Sequence, residues 1–174
     1  MRHIAPLLIL FVLAGCSSKP EQPAGSAIYF DLKGYFENEA AKYQRLKPNV
    51  RKEVSINGSL EKKNVKISDW SKEFAGFTDA DINKTSWNGS FKTSTSAGVQ
   101  VFSSTDEKMP VKEVRIERKD QQIKKIEVIV ASHNLIYNSR DTLRYYPDSL
   151  YDIRKAQKIK LLKSKRYSVK GYLK

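Results

Sequence analysis

The sequence predicts an α+β domain: a single twisted antiparallel sheet of about 8 strands with two helices packed on one face. Three observations carry this. Apolar residues recur at three- and four-residue steps only in two early segments, residues 28–47 and 69–82. From Trp87 onward the runs alternate apolar with polar residues, the pattern of antiparallel strands with one wet face. Turn-forming residues separate those runs at short intervals.

The first helix places Leu32, Tyr35, Phe36, Ala40, Tyr43 and Leu46 on one stripe. Asp31 is its expected N-cap and Pro48 its stop. In residues 49–68, Val50, Val54 and Ile56 alternate with polar residues up to Asn57-Gly58, and Val65 and Ile67 alternate beyond it. Asn-Gly accepts the positive φ angles of a tight hairpin, so this segment is a hairpin. Ser68-Asp69 caps the second helix, residues 69–82, whose buried positions are Trp70, Phe74, Phe77 and Ile82. Strands follow at 90–95, 99–104, 111–118 and 123–134. LIYN (135–138), DTLRYY (141–146), a Pro147-Asp148 turn and strands near 156–162 and 166–173 complete the chain.

The N-terminus has its own layout. Met1-Arg2-His3 is a basic head, and residues 4–15 are apolar or small. That run is too short for a bilayer-spanning helix, which needs ~20 residues. A charged head, a short apolar middle and a small-residue exit form a secretory signal peptide. The exit, Leu13-Ala14-Gly15-Cys16, holds the only cysteine. This stretch resembles the lipobox of bacterial lipoproteins. The resemblance implies a thioether-linked diacylglyceryl group on Cys16, cleavage before it, and attachment to the membrane through acyl chains. Ser17, in place of the aspartate that retains such proteins at the inner membrane, implies the outer membrane. The lack of an acidic cluster after Cys16 implies its periplasmic face. Residues 17–27, SSKPEQPAGSA, are a flexible tether by composition. The expected organisation is therefore a signal peptide (1–15), a lipidated cysteine with tether (16–27) and one globular domain (28–174).

Charge bounds the partners. The chain carries +13, and losing residues 1–15 removes one cation, Arg2, to leave +12. In the envelope this favours anionic lipid or an acidic envelope protein over nucleic acid. Catalytic chemistry finds no foothold. His133 is the only histidine past residue 3, so no histidine cluster can hold zinc. The pair of acids in DADIN (79–83) lacks the glycine and distal glutamate of a calcium loop. No phosphate-binding or dinucleotide fingerprint occurs. The chain is read as a non-enzyme without cofactor or metal.

Asp141-Thr142-Leu143 and Asp148-Ser149-Leu150 resemble the O-glycosylation motif of Bacteroidota envelope proteins, which implies Thr142 and Ser149 as acceptors. YFDLKGYFENEA (29–40), SDW (68–70), DINK (81–84) and YPDSLY (146–151) resemble segments of small uncharacterised lipoproteins of that phylum. This implies a fold and an envelope address, and no activity. The expected function is thus an outer-membrane lipoprotein whose periplasmic domain binds another envelope component. The alternative is a lipid or lipoprotein carrier, since a curved sheet covered by helices resembles the Lol-type half-barrel. In that case Tyr35, Phe36, Tyr43, Trp70, Phe74 and Phe77 would line the cavity. Otherwise they fill the core.

Overall fold

Helix α1 spans Leu32–Leu46, as the stripe requires, in a computed structural model that describes residues 28–173. Cys16, the apolar run and the tether lie outside the described residues. The Asp31 carboxylate accepts from the Gly34 N–H at 2.8 Å and closes the first turn. Lys47, at φ 47°, ends the helix, its N–H donating to the Tyr43 carbonyl at 2.8 Å. Leu32, Phe36, Ala40 and Tyr43 are buried. Leu46, expected on the same stripe, is exposed, because the chain reverses at the next residue.

The expected second helix is two short pieces, α2 (Trp70–Glu73) and α3 (Ala75–Asp79). They break at Phe74, whose φ of −95° and ψ of 5° depart from the helix. Gly76, a poor helix former, lies two residues on, within α3. The break lets Phe74 meet Tyr145 and Tyr151 while Phe77 stacks on Phe36 at 4.2 Å. A continuous helix would stop at Ile82; here the chain leaves helical structure at Ala80, and Ile82 is buried from a loop.

Nine strands form one antiparallel sheet: β1 (Asn49–Ile56), β2 (Ser59–Lys66), β3 (Lys92–Ser96), β4 (Val99–Ser103), β5 (Val111–Lys119), β6 (Gln122–His133), β7 (Tyr137–Tyr146), β8 (Leu150–Ile159) and β9 (Lys165–Leu173). Their order is β2-β1-β9-β8-β7-β6-β5-β4-β3. The chain meanders except where β1 pairs with β9. Two expectations shift. Residues 137–138 of LIYN and 141–146 belong to one strand, β7, while Leu135 and Ile136 fall in the β6–β7 connection. β8 runs Leu150–Ile159 rather than 156–162: Tyr151, Asp152 and Ile153 are all buried and mask the alternation at its start, and Leu161 and Leu162 lie in the connection beyond its end.

One face of the sheet carries the core. Val114, Ile116, Ile126, Val128, Leu143, Tyr145, Tyr151, Ile153 and Val169 point to it from β5 to β9. Aromatic rings of α1, α2 and α3 and of Phe74 meet each other and Tyr145 edge to face, tilted or stacked. Such pairs add about 1 kcal/mol each beyond area burial. Tyr151 lies flat on the backbone of β9: a Cβ on Gly171 would sit 2.2 Å from its Cζ. The phenols are satisfied at the helix boundary. Tyr145 donates to Glu39, and Tyr151 donates to Glu73 at 2.5 Å. Burial, then these carboxylates, push both phenols up, so they stay protonated donors.

Candidate anion-binding groove

The opposite face of the sheet is charged, and its charges are ordered. Strand register places Lys62, Glu53, Lys170, Asp152, Arg144, Glu127 and Arg115 in one row across seven strands, β2 to β5. Signs alternate along the whole row. Opposite charges directly across strands stabilise a sheet, by about 0.2–1 kcal/mol a pair. Arg144 donates to Glu127, and Lys125 adds a second cation at 3.7 Å. Asp152, only 6% exposed, accepts from Arg154 Nε at 3.2 and 3.1 Å. Hydrogen bonding to Glu127 raises the Arg144 guanidinium.

One step along the strands the alternation stops. The next row reads Leu60, Ser55, Ser168, Arg154, Thr142, Ile129. The row after it places Ala156 between Arg140 on β7 and Arg166 on β9. These residues apart from Ile129, with Lys163 and Ser164 from the β8–β9 connection and with Glu53, Asp152 and Lys170 of the alternating row, line a groove of about 900 Å³ in which cations outnumber acids. Residues from β2 through β7 share it, so the sheet curls towards its charged face here. Ala156 supplies no bulk and leaves the space between the two arginines open. Arg140 and Arg166 stand two strands apart, about 10 Å at their backbones. Among the described residues Arg140, Lys163 and Arg166 take part in no ion pair, whereas Arg154 has Asp152 and Lys155 has Asp141. A planar guanidinium offers paired donors that match phosphate and carboxylate oxygens. Arg140 and Arg166 present such donors to the groove, with Lys163, beside Arg154 that Asp152 already engages.

The residues singled out by sequence fall in different places. Thr142 lies in the groove, half-buried beside Arg154. Ser149 is exposed in the β7–β8 turn. Its neighbour Asp148, at φ 55°, accepts from Lys42 Nζ at 2.5 Å and from the Tyr43 hydroxyl at 3.0 Å. Lys42 first, then Tyr43, hold that carboxyl below its usual range against burial. Phe36, Tyr43, Trp70, Phe74 and Phe77 are buried and Tyr35 half-buried, all on the face away from the groove, in contact with one another. Cys16 lies outside the described residues.

His133 is exposed at the end of β6. DADIN is a brace: Asn83 accepts from the Tyr29 N–H and donates to the Phe30 carbonyl, while Asp81 accepts from the Asn83 N–H. Among the described residues no cluster of three or more histidine, cysteine, aspartate or glutamate side chains could hold a metal. No described helix is long and apolar enough to cross a membrane.

Sequence reasoning missed Arg140, Arg154 and Arg166, because their meeting depends on register across three strands. One signal was available: after Asp152 no acidic residue occurs up to Leu173. Comparison with protein-family models, with curated proteins and with solved structures gives no match for this chain.

Proposed function

We propose that the domain is a binding module of the bacterial envelope whose arginine groove takes a phosphate or carboxylate group of another envelope component. In this reading Cys16 carries the acyl anchor, the outer membrane is the address, and the domain faces the periplasm. The helices serve as the cover of the apolar face and leave the charged face for the partner. The observation that supports it best is the clustering of Arg140, Arg154 and Arg166 around Ala156, beyond the last acid of the alternating row. Like charges held this close disfavour the folded state unless something else selects them.

The test is a titration with inorganic tripolyphosphate, followed by amide shifts in nuclear magnetic resonance. The reading predicts shifts concentrated on β7, β8 and β9 around these three residues. They should weaken as salt rises, because screening acts over ~10 Å at ~0.1 M. Shifts scattered over all lysine-bearing surfaces would count against it.

A further inference from the structure

Four connections leave the sheet at one end: residues 104–110 between β4 and β5, which carry Asp106, Glu107 and Lys108, and three further hairpin connections. The pairings Ile56↔Ser59, His133↔Asn138 and Gln157↔Lys165 put residues 57–58, 134–136 and 160–164 there. These three connections are tied together. The Asn57 N–H donates to the Arg166 carbonyl at 2.8 Å, and the Arg166 N–H donates to Asn57 Oδ1 at 2.9 Å. The Lys160 N–H donates to the Ile136 carbonyl at 2.8 Å. These three tips therefore form one continuous surface.

That surface holds the most exposed apolar side chains of the described residues. Leu161 is 97% and Leu135 94% exposed, with Ile136, Ile159 and Leu162 exposed beside them. Folding does not call for them. Leu161 adopts φ 72°, a left-handed conformation in which glycine or asparagine is the low-cost residue. A leucine there is strained and in water, with no core to fill. Contiguous exposed apolar residues mark an interaction site.

The charge around them names the partner. Lys158, Lys160, Lys163 and Lys165 flank the leucines and make no ion pair among the described residues. No acid occurs in residues 55–60, 131–140 or 153–173. Apolar side chains on these three tips, flanked by cations, with the acids of this end, Asp106 and Glu107, confined to the β4–β5 connection, complement an anionic bilayer. The tips enter the boundary between head groups and acyl chains, and the lysines meet the head groups. The geometry points to this end of the sheet as a docking surface for an anionic lipid bilayer, separate from any acyl anchor at Cys16. The inference does not depend on what the groove holds.

The test uses a chain that begins at Ser17 and so has no cysteine. Every strand and every buried core residue among the described residues lies from Leu32 onward, so this chain keeps that core whole. Leu161→Cys and Leu135→Cys, each carrying an environment-sensitive fluorophore, are mixed with vesicles of phosphatidylcholine alone or with added phosphatidylglycerol. Ser96→Cys, exposed at the opposite end of the sheet, is the reference. All three positions are exposed, so the labels leave the core intact.

A blue shift at residues 161 and 135 on the anionic vesicles, with none at 96, is the expected result. Replacing Lys158, Lys160 and Lys163 by glutamine should weaken partitioning about fivefold for each lysine removed. Probes at 161 and 135 that stay in water, equal shifts on neutral vesicles, or an equal shift at 96 would each overturn the inference. Arg140→Gln with Arg166→Gln, which disables the groove, should leave the blue shift in place.

Discussion

Arg140 of β7 and Arg166 of β9 flank Ala156 of β8 on one face of the sheet, and neither has an acidic partner among the described residues. Two cations about 10 Å apart repel by the order of 1 kcal/mol near a protein surface. The row one step away from Arg154 places an acid between every two cations. The sheet thus uses charge in two ways. It neutralises charge where strands need only pair, and leaves it in excess where the groove opens.

Gly171 is fixed by contact. A Cβ there would sit 2.2 Å from Tyr151 Cζ, inside the ring that covers β9. Gly171→Ala should destabilise the domain by about 3 kcal/mol, the upper range for overpacking. A urea midpoint shift reads this out directly. An unchanged midpoint would show that the ring swings aside freely.

Acid should weaken the fold through the charged row. Burial acts to raise the Glu127 carboxyl, but the Arg144 hydrogen bond and the charges of Lys125 and Arg144 hold it below its ordinary range. A folded value below the unfolded one stabilises the protein above the unfolded value, about pH 4.3. That contribution fades as pH falls below this value and is lost through the lower, folded one. Arg144→Gln should therefore flatten the acid limb of the stability curve, measured by denaturation at a series of pH values. An unaltered limb would exclude Glu127 as its source.

The helical stripe, the Asn57-Gly58 hairpin and most strands were legible, because each rests on local periodicity or turn chemistry. Asn57 and Gly58 take φ angles of 52° and 96°, as that dipeptide favours. The break at Phe74 was not legible, since it answers to Tyr145 and Tyr151, some 70 residues downstream. The start of β8 was hidden for a related reason: Asp152 is buried on the charged face by Arg154, so polarity no longer marks exposure. The groove was out of reach because Arg140, Arg154 and Arg166 meet only once three strands take their register.

Acylation at Cys16 predicts that labelled fatty acid enters the protein in its native host. Cys16→Ser should abolish the label and leave an unprocessed precursor. Normal labelling of that variant would refute the assignment.

Ser149 is exposed in the β7–β8 turn, so a modifying enzyme can reach it. If it carries a glycan, Ser149→Ala should lower the intact mass by more than the loss of one oxygen. Thr142, half-buried on β7, should carry none. A native mass that matches the lipidated polypeptide alone would remove the glycan.

The most direct measurement is the tripolyphosphate affinity of the chain from Ser17, compared with its Arg140→Gln, Arg166→Gln and double variants. A lost charge-assisted hydrogen bond is worth about 1.5–3 kcal/mol. Each single change should therefore weaken binding by at least about tenfold, with the fold unharmed and slightly stabilised by relief of repulsion. Affinity that is unchanged in the double variant, with the protein still folded, would contradict the groove as the anion site.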